Sequence, residues 1–170
     1  MKKSDLGMNE VVQEKIGKHL CRFLATNYSL YLKTQYYHWN VMGHQFKPLH
    51  ELFEAQYQIL FQANDDLAER IRTLGFRAPG SFSEYSALSF VKEDASGYVP
   101  TPDQMVMILA GDHKKMVRSI REVLPEIQAE GDEGTLELLV ERLKWHEKAA
   151  WMLMSSVTEK AGTMSPHSAA

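Results

Sequence analysis

The chain reads PLHELFEAQYQILFQANDDLAERIRTLG over residues 48–75. Proline suits the first turn of a helix and glycine its end, so this stretch predicts one long helix that begins near Pro48 and ends at Gly75. Apolar side chains recur along it with the 3.6-residue period of a helix that buries one face. The predicted buried stripe consists of Leu49, Phe53, Leu60, Leu67, Ile71 and Leu74.

Three further stretches show the same helical period. The first runs from about residue 8 to about residue 39, with Gly43 just beyond its end. The third begins at Thr101 and Pro102, because threonine caps a helix and proline fits its first position, and Gln104 can reach back to the cap. The predicted core stripes are Val12, Ile16, Leu20, Phe23, Leu30 and Tyr31; Met105, Leu109, Met116, Ile120, Val123 and Ile127; and, in the fourth helix, Leu136, Val140, Leu143, Trp151 and Met154.

The central connection, residues 75–101, is rich in glycine, proline and serine. Because a long bare loop is uncommon in a compact domain, we expect a short helix at about Ser83–Phe90. Gly131 and Gly134 separate the third helix from the fourth, which is expected to end near Gly162. The pattern predicts an all-α four-helix bundle over residues 8–162, with a short N-terminal arm, 1–7, and a flexible tail, 163–170.

Composition excludes several classes of protein. A formal charge of −3 over 170 residues argues against a chain-wide electrostatic footprint for nucleic acid. The single cysteine, Cys21, excludes an intrachain disulfide and a cysteine-rich zinc site, and fits a reducing compartment. The sequence shows neither a secretory signal nor an apolar run long enough to span a membrane, so a cytoplasmic protein is expected.

Imidazoles and carboxylates gather in the first two helices as His38, His50, Glu54, Asp65 and Glu69. This mixture of nitrogen and oxygen donors suits iron, manganese or zinc. The last four lie within a ~100° arc of the second helix, away from its core stripe. His50 and Asp65 are nevertheless ~22 Å apart along the axis, too far for one metal site.

Two arrangements remain open: two half-sites that each have other partners, or two chains packed antiparallel so that the carboxylates of one meet the histidines of the other. A two-fold axis would produce the second arrangement twice per dimer. The alternative without a metal is a solvated acidic face, against which the aromatic and apolar neighbours Phe61 and Ala68 on the same flank argue.

The segments Tyr37–Val41, Leu49–Glu51 and Asp65–Arg70, spaced as H-x11-H-x3-E-x10-D-x3-E, resemble the Dps proteins (DNA-binding proteins from starved cells). These are the dodecameric mini-ferritins of the ferritin-like superfamily, and the resemblance extends from the first helix through the fourth. It implies a ferritin-like bundle whose ferroxidase site lies between two-fold-related subunits. His38 and His50 would come from one subunit, and the catalytic carboxylates of the site from its partner.

The resemblance further implies that Asp65 and Glu69 are those carboxylates, that Glu54 replaces the family's usual aspartate, and that Trp39 stands beside the iron. The implied activity is oxidation of ferrous iron by hydrogen peroxide or dioxygen, storage of a ferric mineral in a hollow shell, and protection of DNA, with zinc or manganese as other occupants. Ordinary ferritins use Glu-x-x-His pairs within each bundle, and this sequence has none. The alternative is a non-enzymatic DNA-compacting or helical interaction protein with a vestigial metal site.

Two predictions concern charge at the surface. Residues 126–141 contain six carboxylates, and the Dps layout implies that this turn faces a three-fold pore, where Asp132 and Glu137 would attract ferrous ions. The lysines near the N-terminus are balanced by acidic residues, and the last ten residues contain neither lysine nor arginine. Since phosphate neutralisation supplies most non-specific affinity, DNA binding is expected to be weak or absent.

Overall fold

The computed structural model describes residues 6–157, and over this range the chain is all-α. Its five helices are α1 (Glu10–Asn40), α2 (Phe46–Thr73), α3 (Phe82–Leu88), α4 (Pro102–Ala129) and α5 (Glu133–Ser156). The prediction of four long helices with a short one in the central connection is confirmed. The arm up to residue 5, the end of the fourth helix near Gly162 and the tail 163–170 lie outside the described residues.

The helices pack mainly as two pairs, α1 with α2 and α4 with α5, and α3 lies against α1. One core cluster centres on Leu20, Ile71 and Ile120, and a second on Phe53 and Leu109, at the other end of the bundle. Every residue of the stripes predicted for α2 and α4 is buried. In α1, Val12 and Tyr31 are half-buried and the other four are buried.

Helix boundaries follow local chemistry. The hydroxyl of Thr101 accepts a hydrogen bond from the Gln104 N–H, and the Gln104 side chain accepts one from the Thr101 N–H, as the sequence predicts. Ser81 and Glu84 form a second reciprocal cap at α3. Gly75, just after α2, has φ +86°, a backbone conformation that favours glycine.

The predicted core stripe of α5 is wrong. The structure buries the neighbouring line of Thr135, Leu139, Arg142, His146, Ala149, Ala150 and Leu153. Leu136, Val140, Leu143 and Met154 are half-buried, and Trp151 is 65% exposed. The displacement of one residue, ~100° around the helix, arises because the buried line carries polar side chains, which a hydrophobic period does not register. Two of them have partners on other helices: Thr135 contacts Arg70 of α2, and His146 contacts His113 of α4.

Buried polar groups fasten the central connection to the bundle. The ammonium of Lys33 donates to the Asp112 carboxylate at 2.7 Å and to the Lys92 carbonyl at 2.6 Å. The Tyr37 hydroxyl donates to the Asp94 carboxylate, and burial raises the pKa of Tyr37. Among the described residues, no helix has the length and hydropathy needed to cross a bilayer.

Candidate functional site

His38 and His50 lie side by side at the junction between α1 and α2. His38 lies in the last turn of α1 and His50 near the start of α2, so the short connection between the helices sets the two imidazoles side by side. Their rings stack with centroids 3.7 Å apart. Nδ1 of His38 lies 2.9 Å from the carbonyl oxygen of His50, and Nδ1 of His50 lies 2.8 Å from the carbonyl oxygen of His38.

These reciprocal hydrogen bonds determine the tautomer of both rings. A carbonyl oxygen only accepts, so each Nδ1 carries the proton and donates. The carbonyl of His38 is free to accept because α1 ends two residues later, and the last carbonyls of a helix have no partner within it. Each neutral ring therefore keeps its lone pair on Nε2. A backbone carbonyl on the other ring nitrogen is the usual way in which a metal-binding histidine is oriented.

Aromatic side chains surround the histidine pair. The ring of Phe46 lies 4.9 Å from that of His50, and the ring of Tyr57 meets the edge of His38 at 5.2 Å. Trp39, the predicted aromatic neighbour of the site, is 65% exposed in the single chain. The imidazoles thus lie against an apolar wall, with a large exposed indole close by in the sequence.

The predicted carboxylates do not join the histidines within one chain. Glu54 is half-buried one turn after His50, with Oε1 3.5 Å from Nε2 of Gln58. Asp65 and Glu69 are exposed, farther along α2. Among residues 6–157, no three His, Cys, Asp or Glu side chains come close enough together to hold one metal ion. One chain therefore brings together the two nitrogen donors but leaves the distal carboxylates apart.

Asp65 and Glu69 face two different depressions. Asp65 lines a cleft with Tyr28, Phe61 and Tyr85. Glu69 lines an open depression between α2 and α5, whose acidic members also include Asp66, Glu137 and Glu141. The predicted entrance residue Glu137 and the predicted ligand Glu69 therefore share one acidic surface.

Asp132 is placed differently from Glu137. It is 4% exposed and is the N-cap of α5, where its Oδ1 accepts from the Thr135 N–H at 3.0 Å and from the Arg70 guanidinium. The guanidinium of Arg70 also donates to the Thr135 hydroxyl at 2.9 Å. The carboxylate of Asp132 thus has a cap and a cation as partners, whereas Glu137 is exposed to solvent.

Sequence reasoning missed a second histidine pair, in the core between α4 and α5. Nδ1 of His113 and Nδ1 of His146 are 2.8 Å apart, and both side chains are buried. Burial lowers the pKa of His113 to about 3, and burial, His113 and Arg142 lower that of His146. The sequence did offer one signal for a buried histidine, because His113 falls between Leu109 and Met116 on the core stripe of α4.

Comparisons with known proteins agree with this fold. Residues 17–160 match the family described as "Ferritin-like domain". A Nostoc low temperature-induced protein is 37% identical over 92% of this chain and 88% of its own length. "DNA protection during starvation protein 2" of Bacillus anthracis is 32% identical over 89% of this chain and 100% of its own. The crystal structure of a Dps protein from Vibrio cholerae, described as one of the ferritin-like diiron-carboxylate proteins, superposes with a TM-score of 0.84 at 31% identity, over 91% of this chain and 97% of that one.

Proposed function

This chain belongs to the Dps family of ferritin-like proteins, and from that premise we propose that it is a ferroxidase that stores iron. Ferrous ions are oxidised by hydrogen peroxide or dioxygen at sites shared by two subunits. The ferric product is kept as a mineral in a hollow dodecameric shell in the cytoplasm. Removing ferrous iron and peroxide together suppresses hydroxyl radical, and this protects DNA without requiring affinity for it.

The observation that carries this proposal is the division of the ligands into two halves. His38 and His50 are oriented as nitrogen donors. Asp65 lies ~22 Å from His50 along the axis of α2, and Glu69 lies one turn farther on. Neither half completes a metal site within the described chain. A two-fold axis that packs α2 antiparallel to its copy joins the halves, twice per dimer.

The donor types fit the reaction. Neutral imidazole nitrogen binds ferrous iron well, and carboxylate oxygen favours the harder ferric product. Because backbone carbonyls already hold both imidazoles, little reorganisation is needed when iron arrives. Glu54, one turn from His50, or Glu69 would bridge a second and weaker ion, and zinc or manganese could occupy the same donors.

The acidic depression gives ferrous ions a way toward the site. Glu137 and Glu141 of α5 share this surface with Asp66 and Glu69 of α2. A depression lined by negative charges raises the local concentration of cations and their rate of arrival. Of the two predicted entrance residues, Glu137 suits this role better, because the carboxylate of Asp132 already serves Arg70 and the cap of α5.

Two measurements on the purified chain test the proposal. Native mass spectrometry should give a closed oligomer rather than a 19.5 kDa monomer, which has no second subunit to complete the site. Ferrous iron added without oxygen should be oxidised when peroxide is supplied, and the ferric product should remain with the shell as an electron-dense core. A stable monomer, or oxidation no faster than in buffer, would favour the alternative of a non-enzymatic interaction protein.

A further inference from the structure

Four of the seven tyrosines form a continuous line of ring contacts along α1, α2 and α3. Starting at His38, the ring centroids are 5.2 Å apart to Tyr57, 6.2 Å from there to Tyr31, 5.6 Å to Tyr28 and 4.4 Å to Tyr85. These are the separations of aromatic rings in direct contact. We call Tyr57, Tyr31, Tyr28 and Tyr85 the tyrosine ladder.

The ladder has a predicted iron ligand at each end. Tyr57 touches His38 of the histidine pair. Tyr28 and Tyr85 line the same cleft as Asp65. The ladder therefore joins the two half-sites of one chain, which in the proposed function belong to two different iron sites of the shell.

Packing alone does not account for four phenols in this line. A phenylalanine ring would fill the same space, as Phe61 does beside Tyr31, with centroids 5.8 Å apart. Two other tyrosines use their hydroxyls structurally: Tyr36 donates to the Tyr98 carbonyl and Tyr37 to Asp94. What a phenol has and a phenyl ring lacks is ready one-electron oxidation, with the hydroxyl proton released. All four ladder tyrosines are half-buried, so solvent reaches part of each side chain.

Resting on the proposed function, we infer that the tyrosine ladder passes an electron from the carboxylate half-site to the histidine half-site of the same chain, so that two iron sites share the reduction of one peroxide. At the histidine end, hydrogen peroxide takes one electron from a ferrous ion, its O–O bond breaks, and hydroxide and hydroxyl radical form. The hydroxyl radical takes an electron and a proton from Tyr57, which leaves water and a tyrosyl radical.

The Tyr57 radical then regains an electron through the ladder. Tyr31 reduces Tyr57, and Tyr28 reduces Tyr31. A ferrous ion at Asp65, which lines the same cleft as Tyr28 and Tyr85, supplies the last electron and becomes ferric. Each phenol regains a proton as it is reduced. The sum is one hydrogen peroxide, two ferrous ions and two protons giving two ferric ions and two waters. Peroxide is thus reduced fully even where a site holds only one ferrous ion, and no hydroxyl radical leaves the shell.

Tyr→Phe variants of the full-length, assembled protein separate electron transfer from packing, because they keep the ring and remove the oxidisable hydroxyl. Tyr57→Phe and Tyr31→Phe interrupt the ladder at its first and second steps. Tyr98→Phe is the matched control, since Tyr98 is exposed and lies in none of the ladder's ring contacts. Each shell is loaded without oxygen with one ferrous ion per proposed site, and less peroxide than iron is added. The readouts are ferrous ions oxidised per peroxide, tyrosyl radical by freeze-quench electron paramagnetic resonance, and hydroxyl radical by spin trapping.

Wild type and Tyr98→Phe should oxidise two ferrous ions per peroxide and show a transient tyrosyl radical. In Tyr31→Phe the ratio should fall toward one and the radical should persist, because Tyr57 has no donor behind it. In Tyr57→Phe the early radical should be lost and the yield of trapped hydroxyl radical should rise. Ladder variants that match wild type in all three readouts would overturn the inference.

A second loading keeps the inference distinct from the proposed function. With two ferrous ions per site both electrons come from iron, so every variant should oxidise iron at the wild-type rate. If Tyr57→Phe is slow there, Tyr57 acts by holding His38 and the ladder is overturned. If wild type itself oxidises no iron at this loading, the proposed function fails and the ladder with it.

Discussion

His38 and His50 hold each other through two reciprocal hydrogen bonds, in which Nδ1 of each ring donates to the backbone carbonyl of the other residue, at 2.9 Å and 2.8 Å. The backbone carbonyl of each histidine thus orients the side chain of the other. Both Nε2 atoms are left as acceptors before any ion binds. Removing either imidazole deletes one candidate ligand and also removes the donor that the remaining residue's carbonyl accepts from.

His50→Ala should therefore reduce the initial rate of ferrous oxidation at limiting iron by at least about tenfold, the lower range seen when a partner of a metal ligand is removed. The shell should remain assembled, because His50 is only half-buried. Stopped-flow absorbance after peroxide addition measures the rate. His44→Ala is the matched control, an exposed histidine on the same connection. Equal rates in both variants would remove the histidine pair from the site.

The fold was predictable where the periodicity of apolar residues and the residues that mark helix ends agree. All six predicted core residues of α2 are buried, and α4 begins at the Thr101 cap, because both features are local. In α5 the prediction failed, because the polar residues Thr135, Arg142 and His146 lie in the buried line. Thr135 and His146 find partners on other helices, in Arg70 and His113. Pairings across helices are absent from a one-dimensional pattern, and for the same reason the contact between His113 and His146 was missed.

The candidate site also has features that the sequence predicts and features that it does not. The proximity of His38 and His50 follows from a short connection between two helices that the sequence already predicts. The hydrogen bonds from each Nδ1 depend on where α1 ends and how its last carbonyls are turned, which residue spacing does not specify. Whether Asp65 reaches a metal depends on a second copy of the chain, so that assignment stays a prediction.

Truncation of Asp132 should destabilise the protein, whereas truncation of Glu137 should leave its stability almost unchanged. Asp132→Ala removes the cap of α5 and leaves Arg70 without its carboxylate, so unfolding by urea should show a loss of roughly 1–3 kcal/mol. Glu137→Ala alters an exposed side chain and should change stability by less than about 0.5 kcal/mol.

Glu137→Ala should instead slow ferrous oxidation at low ionic strength, where the field of the acidic depression is least screened. The difference from wild type should shrink as salt is added. A rate that is independent of Glu137 at every salt concentration would exclude it as an entrance residue.

The buried pair His113 and His146 should make the protein sensitive to acid. Burial holds the pKa of His113 at about 3, below the 6.5 of an unfolded histidine, while Asp112 beside it acts in the opposite direction. The unfolded chain therefore binds more protons between these values, and stability is lost as pH falls from about 6.5 toward about 3. For this one group the loss between pH 7 and pH 5 is roughly 2 kcal/mol.

Thermal unfolding at pH 7 and pH 5 measures this effect. His113→Asn keeps a polar atom near His146 and removes one titrating ring, so its melting temperature should fall less between the two pH values, although the variant is less stable overall. His44→Asn, at an exposed histidine, should behave like wild type. A variant of His113 with an unchanged pH dependence would exclude this pair as the cause.

DNA binding should be weak at physiological salt, because a chain of net charge −3 offers few unbalanced cations to phosphate. Gel shifts with the assembled shell should show complexes at low salt, if at all, that disappear as salt rises. Complexes that persist at ~0.2 M salt would contradict this expectation, since phosphate-driven affinity falls steeply with salt.

The sharpest test concerns the sharing of the site. One variant carries His38→Ala with His50→Ala, and a second carries Asp65→Ala with Glu69→Ala. In each separate shell every site lacks half of its ligands, so both variants should be inactive. In a mixed two-fold pair one site combines both defects, while the other takes its histidines from the second variant and its carboxylates from the first.

Random co-assembly of equal amounts makes about half of the two-fold pairs mixed, so roughly a quarter of all sites should be complete. The two shells are dissociated, mixed and reassembled, mixing is confirmed by native mass, and ferrous oxidation is compared with that of each variant carried through the same treatment alone. Recovery near a quarter of the reassembled wild-type rate requires ligands from two chains, because no subunit in the mixture holds a full set. If mixed shells stay at the level of the separate variants, His38 and His50 do not share a metal with the partner's carboxylates, and the ~22 Å that separates the two halves on α2 must be explained by two independent sites.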